Sequence, residues 1–153
     1  MLRIALAVLH LFALGFGMAS IEARARAARR LESPNALRDV FIADSWWGFS
    51  ALLWVSTGLW RWLAGTEKAT EYYTTNHAFL AKMGLLVLIL TLEIWPMVTL
   101  IRWRIGYRRS ALPPMQILAP KGRQIARISM VQELLVMAMV VAAVLTARGY
   151  GAS

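Results

Sequence analysis

Five ionisable side chains lie inside stretches whose other residues have the composition of a lipid-facing surface: His10, Asp44, Lys82, Glu93 and Glu133. Charged groups at membrane depth are costly and face a partner or a cavity, so each is a candidate for chemistry. A mid-membrane histidine such as His10 has three ordinary roles: haem ligand, proton relay or hydrogen-bonded packing residue. A neutral lysine amine can ligate a metal, and burial in general favours the neutral form. The three carboxylates are candidates for a polar interior or a proton relay. Their bland reading is helix-to-helix pairing.

These residues must be positioned by helices. Of the 153 residues, 59% are hydrophobic, and the mean hydropathy is +0.54. That is too apolar for an ordinary soluble domain. Four stretches are long enough to cross hydrocarbon, which takes roughly 20 helical residues: 2–20, 40–60, 78–101 and 128–147. A lipid-exposed backbone must satisfy its own hydrogen bonds, so each is expected to be an α-helix. The expected fold is all-α: one domain, 1–153, forming an integral membrane four-helix bundle. The first stretch also carries marks of a secretory signal, a short positive start and the small residues of "GMAS", but "LHLFALGFGM" is richer than such a signal needs.

Charge sets the expected orientation. The net charge is +9, and the basic residues gather in two connections. Arg24, Arg26, Arg29, Arg30 and Arg38 lie between the first and second stretches, and Arg102, Arg104, Arg108, Arg109, Lys121, Arg123 and Arg127 between the third and fourth. The positive-inside rule puts both connections in the cytoplasm, with the termini and the Tyr72/Tyr73 loop outside. No aromatic-interleaved platform accompanies the arginines, so the partner they indicate is anionic lipid rather than nucleic acid. "ARARAARR" reads as a helical extension of the first span. Pro34 ends it, Ser33 or Asn35 caps the next helix, and "ALPPM" and "LAPKG" make the last connection irregular.

Depth follows from helical rise. His10 lies about 12 Å from the outer end of its helix, and Lys82 is in the outer third of the third helix, so the two occupy neighbouring layers. Lys82 and Glu93 share a helix face about 16 Å apart, which excludes a direct pair. Asp44, Glu93 and Glu133 fall toward the inner side, where Arg38, Arg102 or Arg127 are within reach as partners. Asp44, Gly48, Ala51, Val55 and Gly58 form a stripe suited to close helix packing. Trp60, Trp62, Trp103 and Tyr107 fit interfacial belts, and Pro96 is placed to kink the third helix below Glu93.

The chain has no cysteine, which excludes disulfides, zinc–thiolate sites and covalently attached c-type haem. Any cofactor must be held by His, Lys, Met, carboxylates or packing. With His10 the single mid-membrane histidine, a bis-His haem site within one chain would need His77, which reads as an interfacial residue. Met18 and Met83 are further possible ligands. No HExxH, phosphate loop or nucleophile–His–Asp set is present.

The segments "LHLFAL", "TGLWRWL", "FLAKMGLLVLI" and "MVQELLVM" resemble a bacterial family of predicted four-helix membrane proteins, domain of unknown function 2214. The resemblance covers nearly the whole chain. More distantly, the layout is similar to the HemJ-type protoporphyrinogen oxidases, in which a first-helix histidine and a "WLHxK"-like segment stand out. His10 and Lys82 match the His and Lys by position, whereas Leu80 stands where that segment has its histidine. Gly58 to Trp60 and Glu133 also correspond weakly. The resemblance implies haem b or porphyrin at His10 and Lys82, with His10 as the metal ligand, in a bacterial inner membrane. The expected function is therefore haem-linked redox work. The alternatives are an accessory subunit docked on another membrane protein or on a second copy, and transport of protons or small ions.

Overall fold

The computed structural model describes residues 1–33, 35–64 and 75–150, and these form four helices: α1 (Leu2–Arg29), α2 (Ala36–Leu63), α3 (His77–Arg108) and α4 (Met115–Ala147). Pro34 and the Tyr72/Tyr73 loop lie outside the described residues. Every helix outruns its apolar stretch. The basic segment "IEARARAAR" continues α1, in line with its Ala and Arg content. "RWRIGYR" continues α3 in the same way. At α4 the expected irregular "LAPKG" is instead helical, with Pro120 inside the helix. Pro120 stands in the second turn, so only one intrahelical bond near a frayed end is given up. Asn35 occupies the cap of α2, but its side chain makes no capping bond. At α3 the Asn76 side chain does cap, accepting from the Phe79 N–H at 3.0 Å. Its amide donates to the Tyr150 carbonyl at 3.1 Å, which ties the start of α3 to the end of α4.

α1, α3 and α4 are long and apolar enough to cross a membrane. α2 has the length of α1, 28 residues, and spreads its polar residues Asp39, Asp44, Ser45, Ser50, Ser56 and Thr57 along the helix. α1 packs along both α2 and α4, and α4 also packs against α3. α2 meets α3 near both ends: Phe41 lies edge-on to Tyr107 at 6.0 Å, and Trp62 is tilted on Phe79 at 5.3 Å.

The α1–α2 seam differs from the small-residue stripe expected on α2. The buried residues of α2 are Leu37, Val40, Ala43, Trp47, Ser50, Trp54 and Thr57. From Ala43 onward this is the expected stripe displaced by one residue, about 100° around the helix. The small residues that permit close approach are on α1, where Ala13, Gly17, Ser20, Ala25 and Ala28 are buried. The indoles of Trp47 and Trp54 fill that trough, because a large ring buries more area than a glycine can. At Gly122 on α4, an added Cβ would come within 2.7 Å of the Ala28 carbonyl oxygen, so α1 and α4 touch backbone to backbone there. Trp103, expected in an interfacial belt, is buried beside Leu100 and Leu118.

Outside, the bundle is apolar: Phe12, Phe16, Phe49, Val87, Ile94, Leu134 and Val141 are all exposed. Inside are two apolar cores. One holds Ala28, Val40, Leu100, Trp103, Leu118 and Ile125; the other holds Ala13, Ile21, Trp47, Trp54, Ile89 and Val136. Between the two cores each helix turns polar side chains inward: Arg24, Asp44, Glu93, and Ser129 with Gln132.

Candidate functional site

That intervening layer is built on Arg24, which is fully buried. Its five N–H donors are all spent. Nη1 donates to Asp44 Oδ1 at 3.0 Å and Glu93 Oε1 at 2.6 Å. Nη2 donates to Glu93 Oε2 at 2.9 Å and Gln132 Oε1 at 3.0 Å. Nε donates to Ser129 Oγ at 3.1 Å. The pairing with Glu93 is the two-pronged guanidinium–carboxylate fork, the strongest of such contacts. Arg104 completes the layer, donating to Asp44 Oδ2 at 2.7 Å and to the Phe41 carbonyl at 2.9 Å. The Gln132 amide closes it, donating to Glu93 Oε2 at 2.8 Å and the Ile89 carbonyl at 3.2 Å. All four helices contribute. Two arginines face two carboxylates, so the layer carries no net charge, and the face of Trp47 lies 5.9 Å from the Arg24 guanidinium carbon.

Asp44 and Glu93 therefore meet, as their depths suggested, but their partners are Arg24 and Arg104 rather than Arg38, Arg102 or Arg127. Glu133 stands apart: it is half-buried and makes no hydrogen bond or ion pair among the described residues. Its neighbour Gln132 is fully buried and belongs to the network, because one residue turns a helix by about 100°. Sequence reasoning missed Arg24 by grouping it with the connecting arginines. The available signal was phase: Ala13, Gly17, Ile21, Arg24 and Ala28 recur at spacings of four and three on one face of α1, while Arg26, Arg29 and Arg30 fall off it.

The second constellation lies toward the other end, where the chain termini are. His10 and Lys82 both line a cavity of about 410 Å³, walled by Trp54, Trp62, Phe79 and Met139. Leu11, Ala143 and Val144 line it on the α1 and α4 side, and a second cavity of about 40 Å³ shares His10, Trp54, Phe79 and Lys82 with it and is also lined by Met83. The Lys82 ammonium sits 5.9 Å from the Phe79 ring centre. His10 stacks on Trp54 at 5.8 Å with 29° between the planes. A Cβ at Gly58 would come within 3.1 Å of His10 Cε1, so glycine there makes room for the imidazole.

His10 Nδ1 is 2.9 Å from Thr57 Oγ1. The Thr57 hydroxyl also lies within hydrogen-bonding distance of the Leu53 and Trp54 carbonyls, at 2.7 and 3.1 Å. With the hydroxyl proton on a carbonyl, Thr57 Oγ1 is the acceptor for Nδ1–H of His10 in the tautomer that carries its lone pair on Nε2. His77, the exposed first residue of α3, and Met18, on the α1–α2 seam, do not line this cavity. Among the described residues no three His, Cys, Asp or Glu side chains group closely enough to chelate a metal ion.

Four helices with an apolar exterior, three of them long enough to span a bilayer, and a charged layer confined to the interior define an integral membrane protein. The chain belongs to the family described as Predicted membrane protein (DUF2214), whose profile matches residues 2–151. Comparison with curated proteins and with solved structures gave no match.

Proposed function

We propose that this membrane protein binds a tetrapyrrole, b-type haem or a porphyrin, in the His10/Lys82 cavity for a redox role. The observation that carries the reading is the His10–Thr57 hydrogen bond. Histidines that ligate metals donate their other ring N–H to an acceptor, which fixes the ring and keeps the ligating nitrogen basic; the 2.9 Å pairing of His10 Nδ1 with Thr57 Oγ1 supports such an arrangement. A metal held by a macrocycle needs only one or two axial ligands from the protein, which suits a cavity with one imidazole and no chelating cluster. The aromatic walls suit a flat apolar body, and Lys82 suits an acidic edge. Haem would supply one-electron chemistry at this position; the chain's part is to bind and orient it and to exclude water. With the basic connections in the cytoplasm, the cavity belongs to the outer half of the membrane.

The Arg24 layer supports the redox reading over transport, because every N–H of its central cation is committed and the layer crosses the bundle interior. The test is an absorption spectrum of the detergent-purified protein before and after titration with haem. A saturable Soret band lost in His10→Ala, and bound about 10- to 100-fold more weakly in Thr57→Val, is the expected result. Haem uptake indifferent to His10 overturns the reading, and a colourless protein that purifies with a fixed partner favours the accessory-subunit alternative.

A further inference from the structure

We infer that Arg61 and Lys82 form a paired subsite for the carboxylates of the ligand in the His10 cavity, so that its acidic edge points toward the end of the bundle that carries the chain termini. The inference rests on the tetrapyrrole reading and narrows it to flat apolar molecules with free carboxylates along one edge. Arg61, in the last turn of α2, and Lys82, in the second turn of α3, line the same cavity of about 410 Å³ as His10. Among the described residues no aspartate or glutamate lines it. An arginine at the end of a membrane helix ordinarily snorkels out to headgroups. Arg61 is half-buried and contributes to the cavity wall instead.

The order of these groups along the bundle gives the direction. His10 meets Thr57 at 2.9 Å. Arg61 follows Thr57 by four residues, which puts it on the same side of α2, about 6 Å nearer the helix end. Its neighbour Trp62 is tilted on Phe79 at 5.3 Å, so this part of α2 is level with the first turn of α3. The Lys82 ammonium sits 5.9 Å from the Phe79 ring centre, which turns it back toward the same level. Both cations therefore stand on one side of the imidazole layer. On the other side the cavity is lined by Leu14, one turn deeper on α1, and Met139. A carboxylate at that apolar end would lose its water without gaining a partner, which is costly. At the Arg61 end it gains charge-assisted hydrogen bonds, from a guanidinium that matches a carboxylate in two prongs and from an ammonium that acts as a point charge.

Metal-free protoporphyrin and its dimethyl ester test the subsite apart from metal ligation, because neither needs an axial ligand. Binding to the detergent-purified protein is read from quenching of tryptophan fluorescence. The preference for acid over ester is compared between the unaltered protein and the double variant Arg61→Gln/Lys82→Gln in the same micelles, which cancels partition into detergent. The expected preference is about 10-fold larger in the unaltered protein. Each single variant should remove part of it, and these serve as the test if the double variant folds poorly. A preference equal in the unaltered protein and the variants overturns the inference while leaving porphyrin binding in place. Binding of neither porphyrin overturns it together with the tetrapyrrole reading.

Discussion

Two polar regions share the interior of this bundle and differ in how completely they are closed. In the Arg24 layer a guanidinium spends all five N–H donors on side chains from three other helices, and charge cancels within it. In the His10 cavity one imidazole meets Thr57, and walls that are mostly aromatic or aliphatic, with Lys82 and Arg61 among them, surround about 410 Å³ of space. The first arrangement uses polar groups to hold helices in register. The second uses helices to hold a polar group against a space. Buried charge alone is thus a poor guide to chemistry, and the more informative feature is a polar side chain that lines a cavity.

The comparison can be broken at its stronger end first. Arg24→Met leaves Asp44 and Glu93 without their shared cation and should cost about 3–5 kcal/mol, read by unfolding in mixed micelles. A loss below 1 kcal/mol would mean the layer does not hold the bundle. Next, Arg24→Met combined with Glu93→Met replaces the fork by apolar packing. It should recover about 1–3 kcal/mol of that loss, whereas additive losses would show that the two groups act independently. His10→Ala should cost about 1–2 kcal/mol, the scale of a hydrogen bond to Thr57 and a ring stack on Trp54, while abolishing haem binding. A large stability loss there would make His10 a packing residue. The smallest effect belongs to Glu133→Gln, expected within about ±0.5 kcal/mol because the side chain has no partner among the described residues.

Much of this was legible from residue types. Spans of about 20 apolar residues gave the helices, and helical rise put Asp44 and Glu93 in one layer and His10 and Lys82 in another. What could not be read was rotation. Asp44 and Glu133 looked alike as acids near helix starts, yet one ligates two arginines and the other lies off the network by a single residue. Likewise, the glycines and alanines of α2 suggested a contact stripe, but its tryptophans took that role because α1 offered a small-residue trough. Rotation about a helix axis depends on which neighbours arrive, and those are set by tertiary packing. Arg24 was hidden for a related reason: its charge resembled that of the connecting arginines, and only its phase with Gly17 and Ala28 separated it.

The Arg24 contacts also bear on biosynthesis. The guanidinium is made with the first helix, its first acid follows 20 residues later, the fork carboxylate 69 later and the amide 108 later. Until α3 emerges from the ribosome, Asp44 is the one carboxylate of the layer available to this side chain. Closure of the layer is therefore tied to completion of the chain: a product truncated before α3 has only Asp44 of the Arg24 partners, without the Glu93 fork, Gln132 or Ser129.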